Sequence, residues 1–171
     1  MIRRAKALIA LIVAGTLAIA CGSSGPSLTQ EEYCTAAADQ YRKCNPGKEL
    51  PGSVGANCPA SYQCISAAYE GSFVDSLIDC GTASCSQGDS CYRAGIASAS
   101  RSAEEADKCA ARYSECEAAK EKFDDDICPQ LRVLKTDLVD AIVPCLAKPC
   151  DQIKSCIQGV VQNRGISCVD T

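Results

Sequence analysis

The chain has no histidine, no tryptophan, one methionine and two phenylalanines among 171 residues. Without histidine, nucleophilic catalysis of the Ser-His or Cys-His kind is excluded. The spacings of its cysteines never include C-x2-C, the pair on which zinc sites, iron–sulfur sites and thioredoxin-like exchange usually rest. No stretch alternates with period two over β-branched residues, so no strand is predicted and the fold class is all-α. Basic charge is also scarce: the net charge is −4, and −7 once Arg3, Arg4 and Lys6 at the N-terminus are set aside. That balance argues against nucleic acid as a partner, because nucleic acid needs a basic footprint.

Large aliphatic side chains are few as well. After Cys21, Leu, Ile, Val and Phe together number 25, nine before residue 109 and sixteen from there on. A first half so poor in apolar bulk cannot rest on burial alone, and covalent cross-links are the expected supplement.

What the chain does have is fifteen cysteines and an internal duplication. Residues 73–91 and 138–156 share the spacing C-x4-C-x5-C, at Cys80, Cys85, Cys91 and at Cys145, Cys150, Cys156. Val74/Val139, Asp75/Asp140, Gln87/Gln152 and Ser90/Ser155 match as well, and each copy has an upstream Cys-Pro, Cys58-Pro59 and Cys128-Pro129. Cys34 and Cys44 then correspond to Cys109 and Cys116. Two tandem pseudo-repeats of about three helices each are expected, at residues 29–101 and 102–171.

The odd cysteine count finds its explanation at the N-terminus. Residues 1–6 are basic, residues 7–20 are apolar or small, and Cys21 follows. Fourteen such residues are too few to span a bilayer, which takes ~20, and fit the core of a secretory signal peptide over residues 1–20. Leu17-Ala18-Ile19-Ala20-Cys21 resembles the lipobox of bacterial lipoproteins, with Ala18 where that family usually has Leu. The resemblance implies cleavage before Cys21, acylation of Cys21 and attachment to a membrane through its lipid. Gly22 after the lipidated position, with no Asp, favours the outer membrane over the inner by the sorting rule of enteric lipoproteins. Residues 21–28 then form a tether, and its seven residues after Cys21 reach at most ~23 Å. With Cys21 acylated, Cys34, Cys44, Cys58, Cys64, Cys80, Cys85, Cys91, Cys109, Cys116, Cys128, Cys145, Cys150, Cys156 and Cys168 make an even set, and seven disulfides are expected.

Local signals place the helices. Thr29-x-x-Glu32 is a capping box, and Asn45-Pro46-Gly47 ends the helix that it opens. Pro59 opens a second helix. Gly71-Ser72 breaks it, a short piece continues to Cys80, and a turn over 81–84 leads to a helix from about Ser86 to Gly95. In the second repeat Ser102-x-x-Glu105 reads as another capping box, before a helix over about 103–122. Ile127, Leu131, Leu134, Leu138 and Ile142 form one apolar stripe of a single helix, ended by Pro144. Asp151 is the expected cap of the last helix. Three bridges inside each repeat and one Cys64–Cys168 bridge between them form the simplest scheme, with Cys44–Cys58 and Cys116–Cys128 each closing one loop between antiparallel helices.

No cofactor or metal is indicated. Asp124-Asp125-Asp126 lacks the rest of a calcium loop and reads as a solvated turn. The tyrosines at helical spacing are expected to fill half-buried boundaries rather than line a groove. Secreted phospholipases A2, also small, helical and disulfide-rich, need a His-Asp pair that is missing. The chain resembles, in architecture only, the short cysteine-rich lipoproteins of myxobacteria, a likeness that implies no activity. The expected role is therefore non-enzymatic: a lipid-anchored envelope protein, a binding or structural module whose partners would be the membrane, through the lipid on Cys21, and another protein of the envelope. A carboxylate hydrolase of envelope polysaccharide would use Asp75 or Asp140 beside a second acid about 5–10 Å away. An exported inhibitor or immunity-type partner would show an apolar patch above about 600 Å².

Overall fold

The computed structural model describes residues 25–169, apart from 84, 86, 87, 120–122, 124 and 125. Cys21 and the leader therefore lie outside the described residues, as do Ser86, Gln87, Asp124 and Asp125. The described chain is helical: α1 Gln30–Cys44, α2 Cys58–Ala68, α3 Gly71–Ala83, α4 Gly88–Ser98, α5 Ala103–Ala118, α6 Ile127–Gln130, α7 Thr136–Ile142, a 3-10 segment Val143–Ala147 and α8 Cys150–Asn163. The only β feature among these residues is an isolated antiparallel bridge between Tyr69 and Leu134.

The N-terminus of α1 forms as its sequence dictates. The Thr29 N–H and hydroxyl donate to Glu32 Oε2 at 2.8 and 2.7 Å, and the Glu32 N–H donates back to Thr29 Oγ1 at 3.3 Å. These bonds, the backbone one foremost, hold the Glu32 carboxyl below its ordinary range. α1 ends at Cys44, and Gly47 takes φ +80° just beyond it, a region open to glycine.

Seven disulfides pair all fourteen cysteines after Cys21. Within the first repeat they are Cys34–Cys58, Cys44–Cys85 and Cys80–Cys91. Within the second they are Cys109–Cys128, Cys116–Cys150 and Cys145–Cys156, the same three connections at corresponding positions. Cys64–Cys168 joins the two. The expected pairs Cys44–Cys58 and Cys116–Cys128 are not made. The loop 45–57 does not simply cap the end of α1. It runs back along the helix by the ten residues from Cys44 to Cys34, about 15 Å, before α2 begins. Tyr62 and Gln63 of α2 accordingly reach Leu28 and Gln30. Cys44 is thereby left for Cys85.

Four other local expectations give way to tertiary structure. The chain breaks at Tyr69-Glu70, ahead of Gly71, and α3 runs through Gly81 to Ala83. Ser102 makes no side-chain cap and sits at φ 49°, in the left-handed region, where the chain turns to carry Arg101 onto Glu70. The stripe from Ile127 to Ile142 is wholly buried, yet it belongs to two helices. Its break at 131–135 frees backbone that pairs with the first repeat. Asp151 lies in the first turn of α8, where its charge suits the helix dipole, but Pro149 occupies the cap position.

The closely packed helix pairs fall within the repeats: α1 with α2 and α3, α3 with α4, α5 with α6, and α7 with α8. The repeats meet where α2 gives way to α3 and α6 to α7. There the Glu70 N–H donates to Val133 O and the Lys135 N–H to Ala68 O, both at 2.9 Å. Buried Ala68, Tyr69, Phe73, Val74 and Ile96 join the aliphatic side chains of the second repeat in one core. The poorer half leans on the richer one.

Gly95 of α4 faces the buried ring of Phe73, and a Cβ there would stand 2.7 Å from Phe73 Cε2. Gly→Ala in a helix ordinarily stabilises by roughly 0.5–1 kcal/mol. Here overpacking reverses the sign, and Gly95→Ala should cost about 1–3 kcal/mol in chemical denaturation. Peptide mapping without reduction should recover Cys34 linked to Cys58 and Cys44 linked to Cys85. Recovery of Cys44 with Cys58 would contradict this path of the loop.

Candidate functional site

Asp75 and Asp140, the acids that recur between the repeats, are not brought together with each other in a cleft. Asp140 is exposed on α7. Asp75 is half-buried on α3, and its two carboxylate oxygens accept the Ser27 N–H at 3.0 and 3.1 Å. The Leu28 carbonyl beside it accepts the Tyr62 hydroxyl at 2.7 Å. Asp75 and Tyr62 thus fix the end of the segment that leads back toward Cys21. Among the described residues no cluster of three His, Cys, Asp or Glu side chains is placed to hold a metal ion. No described helix is long and apolar enough to cross a membrane.

Two clefts stand out. The first, about 480 Å³, lies where the repeats meet. Phe73 and Val133 are its apolar part, and Ser72, Ser76, Ser98 and Ser100 line it with hydroxyls. Its charges come in pairs. Glu70, only 8% exposed, is held by the guanidinium of Arg101, and Arg132 pairs with Asp107 at 3.2 Å. The ion pair has a parallel in the second repeat, where Arg164, just beyond α8, binds Asp137 at the start of α7. Both pairs tie the chain after a repeat's last helix to the start of its third helical piece. The junction cleft is therefore charge-balanced and serves the packing of the repeats.

The second cleft, about 500 Å³, lies between α1, α3 and α4 of the first repeat. Tyr33, Tyr41, Leu77, Ile78 and Tyr92 give it apolar walls, Gln40 and Asn45 give it amides, and Cys44, Cys85 and Cys91 give it sulfur. Neither Asp75 nor Asp140 lines either cleft. Burial pushes the Tyr33 hydroxyl above its ordinary range.

The six tyrosines divide by role. Tyr69 is buried, with its ring 5.5 Å from Phe73 and its hydroxyl donating to Gln130 Oε1 at 3.3 Å. Tyr113 meets Phe123 edge-on at 5.5 Å, and Tyr62 packs on Tyr33 at 5.2 Å. Those contacts fill boundaries, as helical spacing implies. Tyr33, Tyr41 and Tyr92 depart from that expectation, because all three line the cleft. The signal available in the sequence was the shortage of aliphatic residues before residue 109; Tyr33 and Tyr92 pack against the edge of the core and stay half-buried.

No protein-family model, curated protein or solved structure matches the chain.

Replacing Arg101 by Met should leave the Glu70 carboxylate nearly buried without its cation, at a cost of about 1–3 kcal/mol. Glu70→Gln added to that variant should recover more than half of the loss. A double-mutant cycle in urea that includes Glu70→Gln alone measures both, and a loss in the double variant equal to the sum of the two single losses would show that the pair is not coupled.

Proposed function

We propose that the protein is an exported envelope lipoprotein, held to a membrane through lipid on Cys21, and that it acts without catalysis as a disulfide-braced binding or structural module. The observation that carries this reading is the pairing of the cysteines. Every cysteine after Cys21 has a partner within the chain, which leaves Cys21 as the odd one. Seven bridges need an oxidising compartment, and the apolar leader ahead of Cys21 supplies a route to one. A lone thiol among fourteen others would invite wrong pairing, and acylation removes it from exchange.

The short tether supports the same reading. Asp75 and Tyr62 grip it at Ser27 and Leu28, so only residues 22–26 separate the lipidated position from the folded part. Five extended residues reach about 17 Å. The bundle would ride close above the lipid headgroups, with the outer membrane favoured by Gly22. The lack of histidine, and the position of Asp75 and Asp140 outside both described clefts, favour a non-enzymatic role over hydrolysis.

Mass spectrometry of the intact protein from the membrane fraction tests the reading. The expected result is a chain beginning at Cys21 with added acyl mass and no thiol open to alkylation until reduction, after which fourteen react. Cys21→Ser should release the protein from membranes. Retention of that variant at the wild-type level would overturn the anchor.

A further inference from the structure

Corresponding apolar positions of the two repeats are buried to different degrees. Aligned at the cysteines, Leu77 and Tyr92 correspond to Ile142 and Ile157. Ile142 is 0% exposed and Ile157 2%. Leu77 and Tyr92 are only half-buried, and they line the cleft between α1, α3 and α4.

The walls of a gap in an ordinary core relax part of the way into it. Here two cross-links hold the walls in place. Cys44–Cys85 ties the end of α1 to the chain after α3, and Cys80–Cys91 ties α3 to α4. The space is retained by covalent bonds rather than filled by side chains.

Its chemistry is selective. Among the described residues no Asp, Glu, Lys or Arg lines it, in a chain that is 22% charged. An ion entering would lose water and gain no countercharge. Three tyrosine rings offer broad apolar faces. Among the described residues the hydroxyls of Tyr33 and Tyr41 and the amide of Gln40 have no hydrogen-bond partner, so they remain available to orient a guest. An apolar cavity with a few converging polar groups is the usual form of a small-molecule site, and about 500 Å³ lies in the usual range.

We infer that this cleft binds an uncharged, mainly apolar ring compound that carries a hydrogen-bonding group on one edge. The inference deepens the binding-module reading above, but its test does not depend on the lipid. The second repeat, with its filled core, is the support against which the first repeat holds the site.

The experiment uses the full chain in neutral phosphatidylcholine vesicles, titrated with N-phenyl-1-naphthylamine. The chain has no tryptophan, so tyrosine-sensitised emission of the probe reports proximity to the tyrosine rings. The expected result is a saturable signal above that of protein-free vesicles. Val54→Phe combined with Ile78→Phe fills the cleft, keeps every tyrosine, and should weaken binding at least about tenfold. Tyr41→Phe preserves shape but removes a hydroxyl, and should weaken it about two- to tenfold. The sulfonated analogue, 8-anilinonaphthalene-1-sulfonate, should bind at least about tenfold more weakly, since its charge finds no partner. Absence of a saturable signal overturns the inference. So does wild-type binding by the filled variant with its bridges intact, or equal binding of the sulfonate. A failed Cys21 experiment with a positive titration would remove the anchor and keep the site.

Discussion

Cross-linking of helices by sulfur is the constraint on which the structure depends. The buried core is drawn mainly from the second repeat, with five buried residues of the first, Ala68, Tyr69, Phe73, Val74 and Ile96, joining it. Yet both repeats hold their helices at disulfide distance, with Cα–Cα separations of 5.3 to 5.9 Å. A bridge contributes about 2–4 kcal/mol, chiefly by restricting the unfolded chain in the loop-entropy account. The loops closed range from 11 residues at Cys80–Cys91 to 104 at Cys64–Cys168. The contributions are not independent, because closing the shorter loops already shortens the path between Cys64 and Cys168. What the bridges secure beyond free energy is position. They fix the spacing of α1, α3 and α4 where side chains alone are too few to do so.

The junction of the repeats has a symmetry of its own. Tyr69 pairs with Leu134, 65 residues on, the same offset that separates Cys80 from Cys145. The same shift turns the Glu70–Val133 hydrogen bond into the Lys135–Ala68 one. Tyr69 thus meets its own counterpart and the two flanking bonds exchange with each other, the relation found at an interface between two copies related by a twofold axis. A helix broken at that point leaves backbone donors and acceptors in a buried place, and the break in the other repeat satisfies them. Two features depart from the symmetry. Cys64–Cys168 has no counterpart, and Leu77 and Tyr92, which line the cleft, are half-buried where their counterparts Ile142 and Ile157 are buried.

Much of this was legible in the residues, but unevenly. The helical class followed from periodicity, and the cap at Thr29 from its spacing to Glu32. The leftover pair Cys64 and Cys168 could be joined by elimination. The pairing inside each repeat could not, because it turns on how far the 45–57 loop runs back along α1, a matter of register that spacing does not encode. The stripe from Ile127 to Ile142 identified buried residues and hid the break between them, since the period of a pattern does not register backbone bonds to a distant segment. Ser102 carried a capping sequence, but it stands in the left-handed region beside Arg101, whose guanidinium pairs with Glu70. Asp75 recurred with Asp140 and invited a chemical reading, whereas its contact is with the backbone of the tether. The cleft was the least legible feature, since Leu77 and Tyr92 are no smaller than their counterparts Ile142 and Ile157, and the absence of packing around them has no signature in the sequence.

That absence has a physical logic. A protein stabilised by apolar burial must fill its interior, because each void removes contacts that hold the fold together. A protein braced by covalent bonds is released from that requirement wherever the braces suffice. The second repeat, with Leu131, Leu134, Leu138, Ile142, Ile153 and Ile157 almost fully buried, follows the first rule. The first repeat follows the second: Gly81 lets the Gln40 side chain lie against α3, and half-buried tyrosines face a space that the bridges keep open. Duplication of one disulfide framework therefore yields two different products. Where the frame was packed it became a foundation, and where it was left unpacked it retained room for a guest.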